Sequence, residues 1–200
     1  TAWDKVDGIS GMLPPVETMV DALEQAGIEN NLAVIIYDDA GGLWASRLFW
    51  ALEYLGHGDV HVLNGGLRAW LQKGYAQQTT PPHVARGDFT PHIVPQRLAK
   101  KGWILKTIND PQVQVVDSRS KNEYIGQDVR AAFGGHIPGA ANLNWINHLV
   151  PGDAKTFLPK EKLTDIYSSQ NISPEKTVVT YCQTGVRGAH AYFVLRLLGY

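Results

Sequence analysis

The chain has 200 residues, 18 Lys+Arg against 19 Asp+Glu, a net charge of −1 and only 18% charged residues. That balance offers no basic surface for nucleic acid, and no stretch reaches the ~20 consecutive apolar residues of a membrane span or reads as a secretory leader. The single cysteine, Cys182, excludes an internal disulfide and a cysteine-based zinc site, and a free thiol fits a reducing, cytoplasmic setting.

In chain order, Leu13-Pro14-Pro15 opens a helix whose apolar positions include Val20, Leu23 and Ala26. Past Ile28, the β-branched run Val34-Ile35-Ile36-Tyr37 reads as a short strand. A loop from Asp38 to Trp44 leads to a helix over Leu48 to Leu55, capped by Gly56. Val60-His61-Val62-Leu63 continues to Asn64-Gly65-Gly66, a turn before a further helix and not a nucleotide fingerprint, since the remaining glycine spacing is missing. His57 and His61 have a zinc-like spacing, but glycines flank His57 at a helix end, so a shared face is not expected. Thr79 to Pro91 is aperiodic and Pro-rich, the character of a linker.

Beyond it, Val113 to Val116 reads as a buried strand ending in Asp117-Ser118-Arg119, with Glu123-Tyr124-Ile125-Gly126 following. Gly134-Gly135-His136-Ile137-Pro138-Gly139-Ala140-Ala141-Asn142 is a rigid turn into another short strand: Pro138 fixes φ, Gly139 permits the bend, and His136 is expected to hydrogen-bond backbone. Leu158-Pro159 opens a helix through Leu163, Ile166 and Tyr167, Ile172 marks a turn, and Val178-Val179-Thr180-Tyr181 is a strand. Cys182-Gln183-Thr184-Gly185-Val186-Arg187 then leads to an amphipathic helix beginning near Gly188 and capped by Gly199.

Leu13 to Gly56 and Leu158 to Gly199 follow one pattern of about 45 residues. Strands alternating with helices imply parallel sheets flanked by α-helices, and two copies imply an α/β protein of two similar domains. The expected division is 1–78, a linker at 79–92, and 93–200. The first copy starts at Trp3-Asp4-Lys5 with no strand of its own, and the second stops at Gly199-Tyr200, so each sheet is expected to lack at least one strand of a longer natural protein.

A strand that stops, a loop with one glycine and a helix N-terminus aim backbone N–H groups at whatever the loop holds. A thiol there, beside Arg187, is placed to react as a thiolate. The competing reading, Cys182 as a small buried apolar residue, requires neither Gly185 nor Arg187. Asp38 occupies the position of Cys182 in the first copy, where it cannot act as a sulfur nucleophile. The first half is therefore expected to be silent, a partner wall with Leu43 and Trp44 at the rim of the cleft or packed between the domains. His190, eight residues beyond Cys182, is too far along its helix to act as its base.

The Asp-x-Arg segment, the Gly-His-Ile-Pro-Gly-Ala-x-Asn turn and the Cys-x-x-Gly-x-Arg loop, in that order, resemble the rhodanese family of sulfurtransferases. The repeat with an inactive first copy is similar to its tandem thiosulfate and 3-mercaptopyruvate enzymes. The resemblance implies two rhodanese-like domains and a Cys182 persulfide. Sulfane sulfur would be taken from thiosulfate and passed to cyanide or a thiol; the resemblance identifies no acceptor protein. No cofactor or metal is implied. The N–H groups of Gln183, Thr184, Gly185 and Val186 would hold the negative charge, and Arg187 would bind the donor sulfonate. Arg119 is either a second donor-binding cation or an ion-pair partner of Asp117 or Glu123; Asp117 and His136 have supporting roles.

Family thiosulfate enzymes of animals carry Cys-Arg-Lys-Gly-Val-Thr and mercaptopyruvate enzymes Cys-Gly-Ser-Gly-Val-Thr; this loop matches neither. Glu123 stands where the latter present an Arg to the substrate carboxylate, which favours thiosulfate over 3-mercaptopyruvate. A cysteine phosphatase or arsenate reductase would space its Cys and Arg by five residues to fit around phosphate, whereas Gln183 to Val186 make four. A non-catalytic carrier or binding module is the other alternative, against which the intact loop argues.

Overall fold

The computed structural model describes residues 5–6 and 9–200; Trp3 and Asp4, with which the first copy begins, lie outside the described residues. The chain opens on a two-residue antiparallel hairpin, β1 (Lys5–Val6) and β2 (Ile9–Ser10), where no strand was expected. Helix α1 (Val16–Gln25) follows Pro15, whose fixed φ suits a helix entrance. β3 (Val34–Ile36) pairs in parallel with β4 (Val60–Val62), and between them runs α2 (Leu43–Tyr54). Gly65 leads into α3 (Gly66–Gln72). The second half contains α4 (Lys101–Thr107), β5 (Val113–Asp117), α5 (Lys121–Tyr124), β6 (Ala141–Asn142), α6 (Lys160–Ser168), β7 (Thr177–Tyr181) and α7 (Val186–Leu198). Its sheet is parallel in the order β6-β5-β7, with Asp117 in register with both Asn142 and Tyr181. The alternation of strand and helix in two similar units is the α/β architecture expected.

Both α2 and α7 begin earlier than the apolar spacing indicates. Gly42 and Gly185, at φ 81° and 77°, each turn the chain through the left-handed region directly into a helix, at Leu43 and Val186. Nor is α7 amphipathic. Gly188 through Ala191 and Phe193 through Leu195 are buried, because the helix is wedged between its own sheet and the first half. Phe193 meets Phe49 of α2 edge-on at 4.9 Å and joins the first-half core of Met19, Leu23, Leu52 and Leu55. On its other side Val194 packs with Val116, Leu163 and Tyr167. Glu53 of α2 accepts hydrogen bonds from Tyr192 and, at 3.1 Å, from Arg196.

The segment between the halves lacks helix or strand up to a 3-10 turn at Pro95–Arg97, yet it is a strap and not a loose linker. Gly87 donates to the Glu24 carbonyl, His92 to Leu55 and Val94 to Tyr54, each at 2.8 Å. Phe89 is buried and stacks on the buried His57. The other histidine of that pair, His61, is exposed and bonded to Asp59, so the two rings serve separate structural ends.

A second pair of histidines lies at the junction of the halves. His148, in the 3-10 turn Trp145–His148, and His190 of α7 are both fully buried, stacked at 5.6 Å, with their Nδ1 atoms 3.4 Å apart. His190 Nε2 lies 3.1 Å from the Gly41 carbonyl, which accepts only from a protonated nitrogen. That assigns the proton of His190 to Nε2, makes its Nδ1 the acceptor for His148 Nδ1–H, and leaves His148 Nε2 a bare, buried nitrogen. Burial holds the pKa of His190 down to about 4, against a small opposing pull from the Gly41 carbonyl and Asp38, and that of His148 to about 3, with repulsion from His190 adding to the effect. Both imidazoles are neutral when folded and take up protons more readily when unfolded. Their contribution to stability is complete above pH 6.5 and is lost as the pH falls from there towards 4, by about 2 kcal/mol per ring at pH 5. Urea unfolding midpoints measured from pH 7.5 to 5 should fall steeply, and a His148→Leu/His190→Phe double variant should lose most of that slope.

Candidate active site

Cys182 follows the last residue of β7, and α7 begins four residues later. Ala189 is bonded back to the Gly185 carbonyl at 2.9 Å, so the amides of Val186, Arg187 and Gly188 come before the first i−4 carbonyl of the helix. The equivalent loop of the first half displays where such amides converge. There the Asp38 carboxylate accepts four backbone N–H groups: Ala40 and Gly42 on Oδ1, each at 2.8 Å, and Trp44 and Ala45 on Oδ2 at 2.8 and 2.9 Å. Since Gly42 and Gly185 hold the same place, Trp44 and Ala45 correspond to Arg187 and Gly188. The first cradle is filled by its own side chain; in the second, a loop one residue shorter, the residue that follows the strand is a thiol.

Two buried ion pairs brace the second cradle. Asp117 at the end of β5 is fully buried and takes Arg119 through its Nε (2.9 Å) and Nη2 (2.6 Å), while Tyr181 donates to the same carboxylate at 2.7 Å. Arg119 also donates to the Gly135 carbonyl, and its hydrogen bonds with Asp117 raise its pKa further above the ordinary arginine value. Of its two expected roles, the ion pair with Asp117 is the one formed. Arg187 is likewise engaged. It clasps Glu123 with both terminal nitrogens, at 2.6 and 2.9 Å, and Glu123 is only 2% exposed. The guanidinium holds the Glu123 carboxyl down to about 2, assisted by Ser120, and Glu123 in turn raises the pKa of Arg187, with a lesser contribution from Cys182. Glu123 also closes the capping box that starts α5. Two expectations change with this pair: the fork of Arg187 is occupied, and Glu123 presents no free negative charge to a substrate.

His136 hydrogen-bonds the Tyr124 carbonyl at 2.8 Å and stacks on the Tyr124 ring, as the turn reading anticipates. Gln183 donates to the Arg130 carbonyl. Cys182, Gln183, Thr184 and Gly185 line a cavity of about 970 Å³ between the halves, and Cys182 also reaches a smaller one of about 370 Å³ beside Arg119, Arg130 and His136. Val186 begins α7 and lines neither cavity.

The first-half wall is not the one anticipated. Leu43 and Trp44 line neither cavity, and Trp44 is 60% exposed, because the first turn of α2 buries Ala45 and Ser46 and leaves the Trp44 face outward. One turn further on, Arg47 and Trp50 line the larger cavity instead. Arg47 carries no motif, and only its place three residues after Trp44 on the same helix hints at it. Among the described residues no cluster of His, Cys, Asp or Glu fit for a metal ion occurs, and no helix is long and apolar enough to cross a membrane.

The profile of the rhodanese-like domain matches residues 10–73 and 100–200. The chain belongs to the rhodanese family. It is 33% identical over 190 residues to a thiosulfate sulfurtransferase of Azotobacter vinelandii, covering 95% of this chain and 69% of that one. To a sulfur carrier protein, TtuD, of Thermus thermophilus it is 33% identical, covering 99% and 72%. Its fold matches SseA of Escherichia coli, a 3-mercaptopyruvate sulfurtransferase, with a TM-score of 0.82 at 26% identity, covering 98% of this chain and 74% of that one. These relatives mark the rhodanese chain as a sulfurtransferase, with thiosulfate and mercaptopyruvate enzymes both among its kin.

Removal of the Glu123 brace or of the Asp38 carboxylate should be felt in stability. Glu123→Ala leaves Arg187 uncompensated and should cost roughly 3–5 kcal/mol. Asp38→Ala, which orphans four amides in the silent loop, should cost roughly 1–3 kcal/mol. Urea denaturation at pH 7.5 measures both.

Proposed function

We propose that this protein transfers sulfane sulfur from thiosulfate to a nucleophilic acceptor, cyanide or a thiol, through a persulfide on Cys182. The observation that supports it is the pair of loops. A carboxylate at position 38 gathers four amides, and the same backbone turn in the second half carries a thiol in place of that carboxylate. In the reaction the Cys182 thiolate attacks the outer sulfur of thiosulfate, a new S–S bond forms, the old one breaks, and sulfite leaves with its electron pair. The acceptor then attacks the terminal sulfur and the thiolate departs as leaving group, so that donor and acceptor exchange one sulfur atom with no external oxidant. Loop amides held in place before the substrate arrives stabilise thiolate and persulfide at no cost of reorganisation.

In this reading residues 93–200 perform the chemistry and residues 1–78 form a silent partner, with 79–92 strapped to the latter. Arg187 acts from its clasp on Glu123, holding the first turn of α7 in place and lending positive charge to the thiol. Arg119 and Asp117 set the end of β5, and His136 the turn beside it.

The loop matches neither family pattern, and the choice of thiosulfate is supported by the higher identity to the thiosulfate enzyme of Azotobacter vinelandii, 33% against 26% to SseA. Glu123 exerts no repulsion on a donor carboxylate, since its own carboxylate is buried against Arg187. Incubation with thiosulfate should add ~32 Da to the wild-type protein and nothing to Cys182→Ser, as a covalent intermediate requires. Absence of the added mass in wild type overturns the proposal. A kcat/KM that favours 3-mercaptopyruvate over thiosulfate overturns the choice of donor alone.

A further inference from the structure

Besides Arg130, which pairs with Asp128 beside the smaller cavity, three arginines lie near Cys182, and two of them are already paired. Arg119 is matched by Asp117 and Arg187 by Glu123, each carboxylate buried. The third, Arg47 of α2, reaches over the loop from the opposite half: a β-carbon at position 185 would lie 2.5 Å from its Nη1. Its Nη2 donates to the Gly11 carbonyl at 2.6 Å, and the guanidinium lies 4.6 Å from the centre of the Trp50 ring. No carboxylate among the described residues forms an ion pair with it. Burial lowers its pKa, and the nearness of Cys182 works in the opposite direction. Among the described residues lining the larger cavity, the charged ones are Arg47 and Arg97 alone, and Arg97 is drawn aside over the Tyr192 ring.

A partly buried guanidinium with one backbone bond and an aromatic platform keeps donors to spare, in a planar fork suited to a tetrahedral anion. Partial burial strengthens its pull on such an anion. We infer that Arg47 is the donor-binding residue of this site: it holds the anionic end of the sulfur donor while Cys182 attacks the outer sulfur, the part first assigned to Arg187. The inference deepens the sulfurtransferase reading and rests on it. The anion subsite is then supplied by the silent half, and the site is complete only where α2 meets α7.

The test uses the only cysteine of the chain. Alkylation of Cys182 by iodoacetate, an anion, and by iodoacetamide, its neutral analogue, is followed by mass in wild type, Arg47→Gln and Arg47→Lys. The ratio of the two rates is taken within each protein, so a change in thiolate fraction, which scales both rates alike, cancels; a far-UV spectrum of each variant shows that it is folded. The expected result is an iodoacetate-to-iodoacetamide ratio about fivefold lower in Arg47→Gln and near wild type in Arg47→Lys, which keeps the charge. Loading with sulfur from thiosulfate should slow about tenfold or more in Arg47→Gln. A ratio unchanged in Arg47→Gln overturns the role of Arg47, even if thiosulfate loading slows. If wild type fails to gain sulfur while its preference for iodoacetate still depends on Arg47, the sulfurtransferase reading falls and the anion subsite stands.

Discussion

The packing of α2 against α7 is the constraint on which the rest depends. Each helix starts at a loop that turns through a left-handed glycine, and each buries its middle against the other, so the two loops are brought to the same junction. Phe49 on Phe193 supplies apolar contact, and Glu53 with Tyr192 and Arg196 ties the far ends. At the near ends His190 reaches the Gly41 carbonyl of the opposite loop. Because α7 has buried faces on both sides, it cannot move relative to one half without disturbing the other. The position of the proposed nucleophile is therefore set by both halves, although only one supplies it.

The two loops behave as one device in two states of occupancy. An array of N–H groups at a helix start favours negative charge, and an empty one is costly where water is scarce. In the first half the side chain of Asp38 answers that demand permanently, so the loop is stable and chemically finished. In the second half the demand is left to whatever the thiol becomes. A thiolate or persulfide there is the counterpart of the Asp38 carboxylate, which explains how one backbone turn serves both as a structural knot and as a reactive cradle. The difference lies in one residue and in the length of the loop, shorter by one in the second half.

Much of this was legible in the residue order. Strands at Val34 and Val178, the proline-led helices and the Cys182 loop follow from local pattern, because β-branched runs, prolines and glycines act through the backbone around them. The segmental resemblance worked for the same reason. What pattern could not reveal was pairing across space. Glu123 and Arg187 are 64 residues apart, and nothing local in either says that each will consume the other's charge. Residues 79–92 read as a linker because the bonds of Gly87, His92 and Val94 go to Glu24, Leu55 and Tyr54, outside any local window. Leu43 and Trp44 miss the cavity by one helical turn: a start at Leu43, rather than near Leu48, directs Arg47 and Trp50 to it in their place.

Electrostatic balance ties these points together. Around Cys182, the Asp117–Arg119 and Glu123–Arg187 pairs each sum to zero, and their buried carboxylates leave little field beyond a few ångströms. Such pairs add rigidity at a desolvation cost that the attraction only partly offsets, so their value lies in fixing the end of β5 and the first turn of α7. Attraction of an anionic donor then calls for positive charge that no described carboxylate pairs with. Arg47 supplies that charge from the opposite wall, across a cavity with no described carboxylate in its lining. On this argument, the loss of chemistry at Asp38 and the presence of Arg47 nine residues later are two parts of one division of labour.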